Sequence, residues 1–247
     1  MLNIFVMAEI TVDDPLGRMI RDTVRIIGLK NNLEIGAWDG SGATQCFIEG
    51  MRGFEEKSLK SIEIDEERFL QLKERVKEHD WIECIHDSSI SPDVLPPFEY
   101  MWDSIHFKCP IEKMSYDEKQ VEKAGLKRWY DRDKKLMSIF DGYLHTDKDY
   151  YDSVLIDGGE WCGYDEFLLL KDRTDVFFLD DCHVAYKTSK VFNVLKNDDN
   201  WGCLMNCVPP HPRARNGSAV FIRNERHQQY LQKKDWVDTR DINNINA

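Results

Sequence analysis

Short apolar segments alternate with amphipathic segments along most of the chain, which is typical of a parallel β-sheet with crossover helices. Seven segments have the apolar pattern of strands: Leu33–Ile35, Ser61–Ile64, Ile82–Ile85, Ser153–Ile156, Val176–Leu179, Gly202–Cys207 and Ala219–Arg223. Helical patterns occupy Gly17–Ile27, Ala43–Gly50, Glu66–Lys77, Tyr164–Leu170 and Ser189–Asn197. The alternation predicts an α/β fold with helices on both faces of a seven-stranded, mostly parallel sheet.

The last two predicted strands have no clear helix between them. Proline and glycine between Pro209 and Gly217 instead predict a hairpin, because such residues reverse the chain. The last strand is therefore expected to be antiparallel.

A segment rich in aromatic and charged residues, from Ser88 to Tyr151, interrupts the alternation. An unstructured loop of that length is improbable in a compact domain, so we expect a helix around Tyr116–Phe140. One interpretation is an insertion at about 92–150 that caps the substrate side of the sheet within a single domain, 1–247. The alternative is an ordinary long crossover helix.

Composition narrows the class of protein. The 247 residues carry a net charge of −12 and are 42% hydrophobic, which is typical of a soluble globular domain and argues against non-specific nucleic-acid binding. No apolar run is long enough to cross a bilayer, and the acidic N-terminal segment does not have the pattern of a secretion signal. Seven scattered cysteines without a CxxC pair favour reduced thiols in a cytoplasmic protein.

The most informative segment is Leu33–Gly42, LEIGAWDGSG, where a strand runs through a glycine-rich turn into a helix. Glycines allow positive φ and a close approach of the backbone to a ligand. The glycine spacing differs from the GxGxxG dinucleotide fingerprint. The strand also carries an acid, Glu34, which suits a positively charged amino group better than a phosphate. Together these features favour S-adenosylmethionine (SAM) over NAD.

Two further polar positions follow predicted strands. Glu63 and Asp65 close the second strand, where a carboxylate can accept both hydroxyls of a ribose; Glu63 is favoured and Asp65 is the alternative. After the third strand come Asp87 and Ser88, which can hydrogen-bond the edge of an adenine.

In these motifs the chain resembles class I SAM-dependent methyltransferases, which have a Rossmann-like fold, over essentially its full length. The resemblance implies that the glycine turn contacts the methionine part of SAM, the second-strand acid the ribose and the turn after the third strand the adenine. The implied cofactor residues are Glu34, Gly36, Ala37, Trp38, Gly40, Ser41, Glu63, Ile64, Asp87, Ser88 and Asp157. The segments Ile156–Tyr164, Phe178–Asp181 and Arg215–Gly217 are more particularly similar to the FkbM-type group, which is linked to glycan and natural-product tailoring.

Three carboxylates stand at the ends of two neighbouring strands: Asp157, Asp180 and Asp181. Strand ends of this kind line the ligand crevice, and three such oxygens can hold Mg²⁺ or Mn²⁺. Catechol and several sugar O-methyltransferases are similar here, and the resemblance implies a metal that activates the substrate hydroxyl. The alternative is that Asp180 and Asp181 only cap the following helix.

The resemblance implies a base three residues past the first aspartate, which is Glu160 in this chain. Many relatives have a second aspartate or a histidine in this turn, whereas this chain has Gly158 and Gly159. His183 is the other candidate base, or a surface histidine. Lys187 either pairs with the acids or a substrate, or is solvated.

The sequence therefore predicts a SAM-dependent O-methyltransferase that acts on a small molecule, a sugar or glycan above all, with Asp157, Glu160 and His183 as catalytic candidates. The alternatives are a methyltransferase acting on RNA or protein, a non-catalytic SAM-fold module, and an NAD-dependent oxidoreductase. The expected partners are the acceptor and a second copy of the chain in a homodimer, with neither membrane nor nucleic acid.

Overall fold

A computed structural model of the chain describes residues 10–104, 116–206 and 217–234. Within these ranges the strands are β1 (Asn31–Ile35), β2 (Ser58–Glu63), β3 (Ile82–His86), β4 (Tyr151–Ile156), β5 (Thr174–Leu179), β6 (Trp201–Asn206) and β7 (Ala219–Arg223). The helices are α1 (Pro15–Ile27), α2 (Ala43–Gly50), α3 (Glu66–Val76), α4 (Phe98–Ser104), α5 (Tyr116–Met137), α6 (Tyr143–Thr146), α7 (Gly163–Leu170), α8 (Lys190–Lys196) and α9 (Asn224–Lys233).

The seven strands form one sheet in the order β3-β2-β1-β4-β5-β7-β6. Strands β1 to β5 pair in parallel, whereas β7 lies between β5 and β6 and is antiparallel to both. The predictions of a seven-stranded, mostly parallel sheet and of an antiparallel last strand are therefore confirmed. The chain between β6 and β7, where the hairpin was predicted, includes residues 207–216, which lie outside the described residues.

The alternation of side chains along the central strands creates two separate hydrophobic cores. Leu33 and Ile35 of β1 face a core that includes α7 and α8, together with α4 and α5. On the opposite face, α1, α2 and α9 pack against β4, β5 and β7 through residues such as Phe47 and Phe178. Helices therefore cover both faces, as the sequence predicts, and the loops at the carboxyl ends of β1 to β5 share one edge.

Residues 92–150, which we call the insertion under either interpretation, are largely helical where they are described. A helix was predicted at Tyr116–Phe140, and α5 occupies Tyr116–Met137. Phe98 of α4 and Tyr130 of α5 pack against Trp161, with ring centroids 6.5 Å and 5.7 Å from that of Trp161. Trp161 follows β4, so these contacts join the insertion to the edge of the sheet where the parallel strands end.

Among the described residues, no helix is both long and apolar enough to cross a membrane.

Candidate active site

The loops that follow the parallel strands contain unusual backbone conformations. Trp38, after β1, has φ of 55°, and Asp181, after β5, has φ of 54°. In the described part of the chain they are the two non-glycine residues with positive φ. Such conformations cost free energy and concentrate at functional sites, so they indicate where the molecule has a site.

The glycine turn after β1 is packed against the turn after β4. Gly36 has φ of 88°, and a Cβ on it would lie 2.3 Å from the carbonyl oxygen of Asp157. The peptide N–H groups of Gly36 and Ala37 both donate to the carbonyl oxygen of Ile62. Gly36 is therefore required for the contact between two loops of the protein, in addition to any contact with a ligand.

Glu63 lies where the second-strand acid was predicted to bind ribose. Its carboxylate is 5% exposed and accepts the peptide N–H groups of Trp38 and Asp65, each at 2.8 Å. Burial raises the pKa of Glu63, while the hydrogen bond from Asp65 and the charge of Arg68 lower it. A carboxylate has about four acceptor positions, so two backbone donors orient Glu63 and leave capacity for ligand hydroxyls.

Asp65, the alternative to Glu63, has a different role. Its side chain caps α3 by accepting the peptide N–H of Arg68 at 3.1 Å. This geometry favours Glu63 as the ribose acid.

Glu34 does not lie at the ligand edge, contrary to the prediction. It is fully buried and accepts hydrogen bonds from the hydroxyls of Thr44 and Ser61 at 2.8 Å and 2.7 Å. Burial raises its pKa to about 7. Since Leu33 and Ile35 face one core, Glu34 points to the other face, where it connects β1 to α2 and β2.

The turn after β3 contains a carboxylate oxygen that lacks a partner. Asp87 Oδ1 is buried and has no hydrogen-bond partner among the described residues. Burial raises the pKa of Asp87, and peptide N–H groups of Ser88 and Gly142 lower it. A buried acceptor without a donor is expensive, so this oxygen suits a ligand amino group.

Of the other predicted cofactor residues, some lie at the edge of the sheet where the parallel strands end and others lie in the interior of the protein. Trp38 is half-buried and stacks on Arg68, whose guanidinium lies 3.3 Å from the ring centroid. Ile64 is also half-buried at the end of β2. The hydroxyl of Ser41 donates to the carboxylate of Asp39, and the hydroxyl of Ser88 donates to the carbonyl oxygen of Ile90. Ala37 and Gly40 are buried.

The carboxylates of Asp157, Asp180 and Asp181 come together as predicted; we refer to them as the acidic cluster. One oxygen from each lies within 4.8 Å of the others. The ammonium of Lys187 lies among them, 2.8 Å from Asp157 Oδ1 and 2.8 Å from Asp181 Oδ2. Lys187 is buried, so the choice left open by the sequence is resolved in favour of pairing with the acids.

The electrostatics of the acidic cluster follow from burial and this lysine. Burial raises the pKa of Asp157 to about 6, although the charge of Lys187 lowers it. Burial and the two neighbouring aspartates hold the pKa of Asp180 well above its usual range. Burial alone would lower the pKa of Lys187, but the charges of Asp157 and Asp181 hold it above the ordinary value.

Helix capping does not explain Asp180 and Asp181. Asp180 accepts the hydroxyl of Ser218 at 3.0 Å, and Asp181 accepts Lys187. The predicted metal does not fit this arrangement either, because the ammonium already bridges two of the three carboxylates. An ion bound to the same two oxygens would lie a few ångström from another cation.

The two candidate bases lie in different environments. Glu160 is half-buried in the turn after β4, and burial raises its pKa against the opposing charge of Lys187. His183 is exposed on the turn after Asp181. Of the two, Glu160 has the more suitable surroundings for a base.

Sequence reasoning missed Glu166 of α7, a buried acid close to the turn after β4. It accepts the hydroxyl of Ser89, its Oε2 atom has no partner among the described residues, and burial raises its pKa to about 7. Gly158 lies against it, since a Cβ there would be 3.3 Å from Glu166 Oε1. The available signal was that Glu166 lies four residues before the apolar Leu170 in a short helix, a spacing that places the two side chains on one face.

Comparison with known proteins gives similarity in structure but not in sequence. No protein-family profile and no curated protein sequence matches the chain. TomG, an O-methyltransferase of tomaymycin synthesis from Streptomyces achromogenes solved with SAM, has 10% identity and a TM-score of 0.51 over 85% of this chain and 79% of its own. Cofactor-bound Rv0187 from MTB has 10% identity and a TM-score of 0.52, over 88% and 84% of the two chains.

A Staphylococcus aureus protein assigned to the caffeoyl-CoA O-methyltransferases has 12% identity and a TM-score of 0.50, over 86% and 85% of the two chains. At such identities the likeness is evidence of fold. The antiparallel β7 between β5 and β6 also distinguishes the sheet from the dinucleotide-binding order 3-2-1-4-5-6. This chain has the Rossmann-like fold of class I SAM-dependent methyltransferases.

Proposed function

We propose that this protein transfers the methyl group of SAM to a hydroxyl of a small molecule, with a sugar or glycan as the acceptor. The observation that carries the proposal is a single edge of the sheet where a ribose-type carboxylate, Glu63, and the acidic cluster with Lys187 both lie. One end of this edge suits a nucleoside and the other suits a polar acceptor.

The residues at the first end fit SAM. Glu63 has acceptor capacity for ribose hydroxyls, and the unpartnered Oδ1 of Asp87 suits the amino group of adenine. Gly42 occupies the N-cap of α2 and has no side chain to cap it. Peptide N–H groups at a helix start attract carboxylates, which suits the methionine part of SAM.

The second end suits a neutral polyhydroxyl acceptor. Asp157, Glu160 and Asp181 supply carboxylate oxygens, which accept hydrogen bonds from sugar hydroxyls. The resemblance to the FkbM-type group supports the same class of acceptor.

SAM supplies an electrophilic methyl group on a sulfonium when it is bound. The acceptor oxygen forms a bond to the methyl carbon, and the carbon–sulfur bond breaks with its electron pair going to sulfur. The hydroxyl proton passes to Glu160, whose pKa is raised by burial. A carboxylate with a raised pKa is a better base near neutral pH than one at its ordinary value.

The first test is cofactor choice. Calorimetry with SAM, S-adenosylhomocysteine and NAD should give binding of the first two and not of NAD. Transfer of labelled methyl from SAM to a panel of glycosides, catechols, RNA and peptides should then label a glycoside. Mass spectrometry of the product should locate an O-methyl group.

The alternative functions give different results in the same experiments. NAD binding without SAM binding would indicate an oxidoreductase, and SAM binding without transfer to any acceptor would favour a non-catalytic module. Labelling of RNA or peptide would redirect the proposal to a macromolecular acceptor. The described part of the chain shows no disulfide, and a cytoplasmic location remains part of this proposal.

A further inference from the structure

The position of Lys187 is determined by backbone contacts as well as by charge. It lies in a π-helical turn, Ala185–Ser189, directly before α8. A Cβ on Gly163 would lie 1.9 Å from the carbonyl oxygen of Lys187, so glycine lets α7 approach that turn closely. The hydroxyl of Thr188 donates to the carbonyl oxygen of Asp180. Isolated π turns frequently occur at functional sites.

The ammonium is held in a specific geometry inside the acidic cluster. It is 6% exposed and donates to Asp157 Oδ1 and Asp181 Oδ2, each at 2.8 Å. These carboxylates belong to the turns after β4 and β5, which are neighbouring strands of the sheet. Lys187 therefore connects the two turns in the way that a shared cation would.

A divalent ion bound by the acidic cluster would share its carboxylates with the ammonium of Lys187. Mg²⁺ lies about 2.1 Å and Ca²⁺ about 2.3–2.6 Å from its oxygen ligands. An ion bound to Asp157 Oδ1 and Asp181 Oδ2 would therefore be held close to Lys187 Nζ, where two cations repel.

We propose that Lys187 is the resident cation of the acidic cluster, that it takes the place of a divalent metal, and that its remaining N–H donates to the acceptor oxygen. This inference rests on the proposed function for the identity of the acceptor. An ammonium has three donors, and the two carboxylates accept two of them. Methyl transfer by this chain then needs no added metal.

The chemical step balances without a metal. As the acceptor oxygen bonds to the methyl carbon, the carbon–sulfur bond breaks and its electron pair goes to sulfur. The hydroxyl proton goes to a carboxylate base, and Lys187 keeps all of its own protons. Its N–H stabilises the negative charge that develops on the acceptor oxygen, as oxyanion donors do.

The decisive experiment measures Mn²⁺ binding to the intact chain by electron paramagnetic resonance, and it does not depend on turnover. Wild type should bind no Mn²⁺ at the acidic cluster. Lys187→Met removes the ammonium from the acidic cluster, so it should gain one Mn²⁺ site, and Lys187→Met with Asp181→Asn should lose that site again. Lys190→Met, which removes an exposed lysine three residues away, should behave like wild type.

The inference is overturned if wild type binds one Mn²⁺ and Asp181→Asn abolishes that binding. If Lys187→Met does not fold, the wild-type and Asp181→Asn titrations alone decide the matter. With a reactive acceptor, wild-type turnover should be unchanged in excess chelator, and Lys187→Met should lose about 10²–10³-fold in kcat with unchanged SAM affinity. Failure to bind SAM would defeat the proposed function and leave the Mn²⁺ result standing.

Discussion

The two ends of the candidate site are built differently. The first end, which we propose binds SAM, is called the cofactor end, and the second is called the acceptor end. At the cofactor end, Glu63 is oriented by the peptide N–H groups of Trp38 and Asp65, and backbone hydrogen bonds join the turn after β1 to β2. At the acceptor end, Asp157 and Asp181 are oriented by the side chain of Lys187, which comes from a different turn. The insertion contacts this second end through Trp161.

This difference determines how amino-acid substitutions affect each end of the site. Backbone donors are present whatever the side chains, so the cofactor end keeps its geometry while the sequence around it varies. The acceptor end depends on particular charged side chains, and replacing one of them leaves its partners buried and uncompensated. We expect substitutions at the acceptor end to alter chemistry and those at the cofactor end to alter affinity.

The largest expected effect is on turnover. Glu160→Gln removes the proposed base and keeps the side-chain size, so kcat should fall by about 10²–10⁴-fold. SAM affinity, measured by calorimetry, should not change. His183→Gln is the matched control and should retain turnover, because His183 is exposed. Loss of turnover in His183→Gln with retained turnover in Glu160→Gln would assign proton removal to the histidine.

The next effect concerns stability and its dependence on pH. Burial raises the folded-state pKa of Glu34 to about 7, so the folded protein holds this proton more tightly than the unfolded chain does. The contribution of protonated Glu34 to the free energy of unfolding is fully present below the pKa of a glutamate in the unfolded chain, about 4.3. It is lost as pH rises through about 7.

Glu34→Gln removes this titration. The variant should therefore gain up to about 3 kcal/mol in free energy of unfolding relative to wild type between pH 5 and pH 8. Urea unfolding at the two pH values measures the change. Glu74→Gln, on an exposed part of α3, should show no such dependence. A marked loss of SAM affinity in Glu34→Gln would return Glu34 to the ligand site.

A smaller effect separates the two acids that follow β2. Glu63→Ala should weaken SAM binding by about 1.5–3 kcal/mol, the range for hydrogen bonds to a charged group. Asp65→Ala removes a helix cap instead, so it should cost about 1 kcal/mol of stability with little change in SAM affinity. Calorimetry and thermal unfolding of both variants test this pair. The reverse result would make Asp65 the ribose acid.

The contrast between the two ends also explains what the sequence could predict. The strands followed from apolar alternation, and Glu63 and the acidic cluster followed from their positions at strand ends. The role of Glu34 was predicted wrongly, although the same alternation predicts where its side chain points. Glu34 lies between Leu33 and Ile35 in the strand, so its side chain must face the opposite side of the sheet from theirs. The sequence left open whether Lys187 pairs with the acids or a substrate or is solvated, because a π turn and the close contact at Gly163 determine where its side chain points.

The smallest predicted effect tests whether the insertion belongs to the acceptor end. Trp161 donates its indole N–H to Asp133 of α5 at 3.1 Å and packs against both Phe98 and Tyr130. Trp161→Phe keeps an aromatic ring and loses that hydrogen bond, so unfolding should become easier by about 1 kcal/mol.

Because Trp161 lies in the turn after β4, a small shift there should raise the KM for the acceptor and leave SAM affinity unchanged. Trp129→Phe, on α5 with the side chain more than half exposed, is the matched control and should change stability by less than about 0.5 kcal/mol. Steady-state kinetics and urea unfolding of the two variants measure these effects. A change in SAM affinity with no change in KM would connect the insertion to the cofactor end, and the division between the two ends would then be wrong.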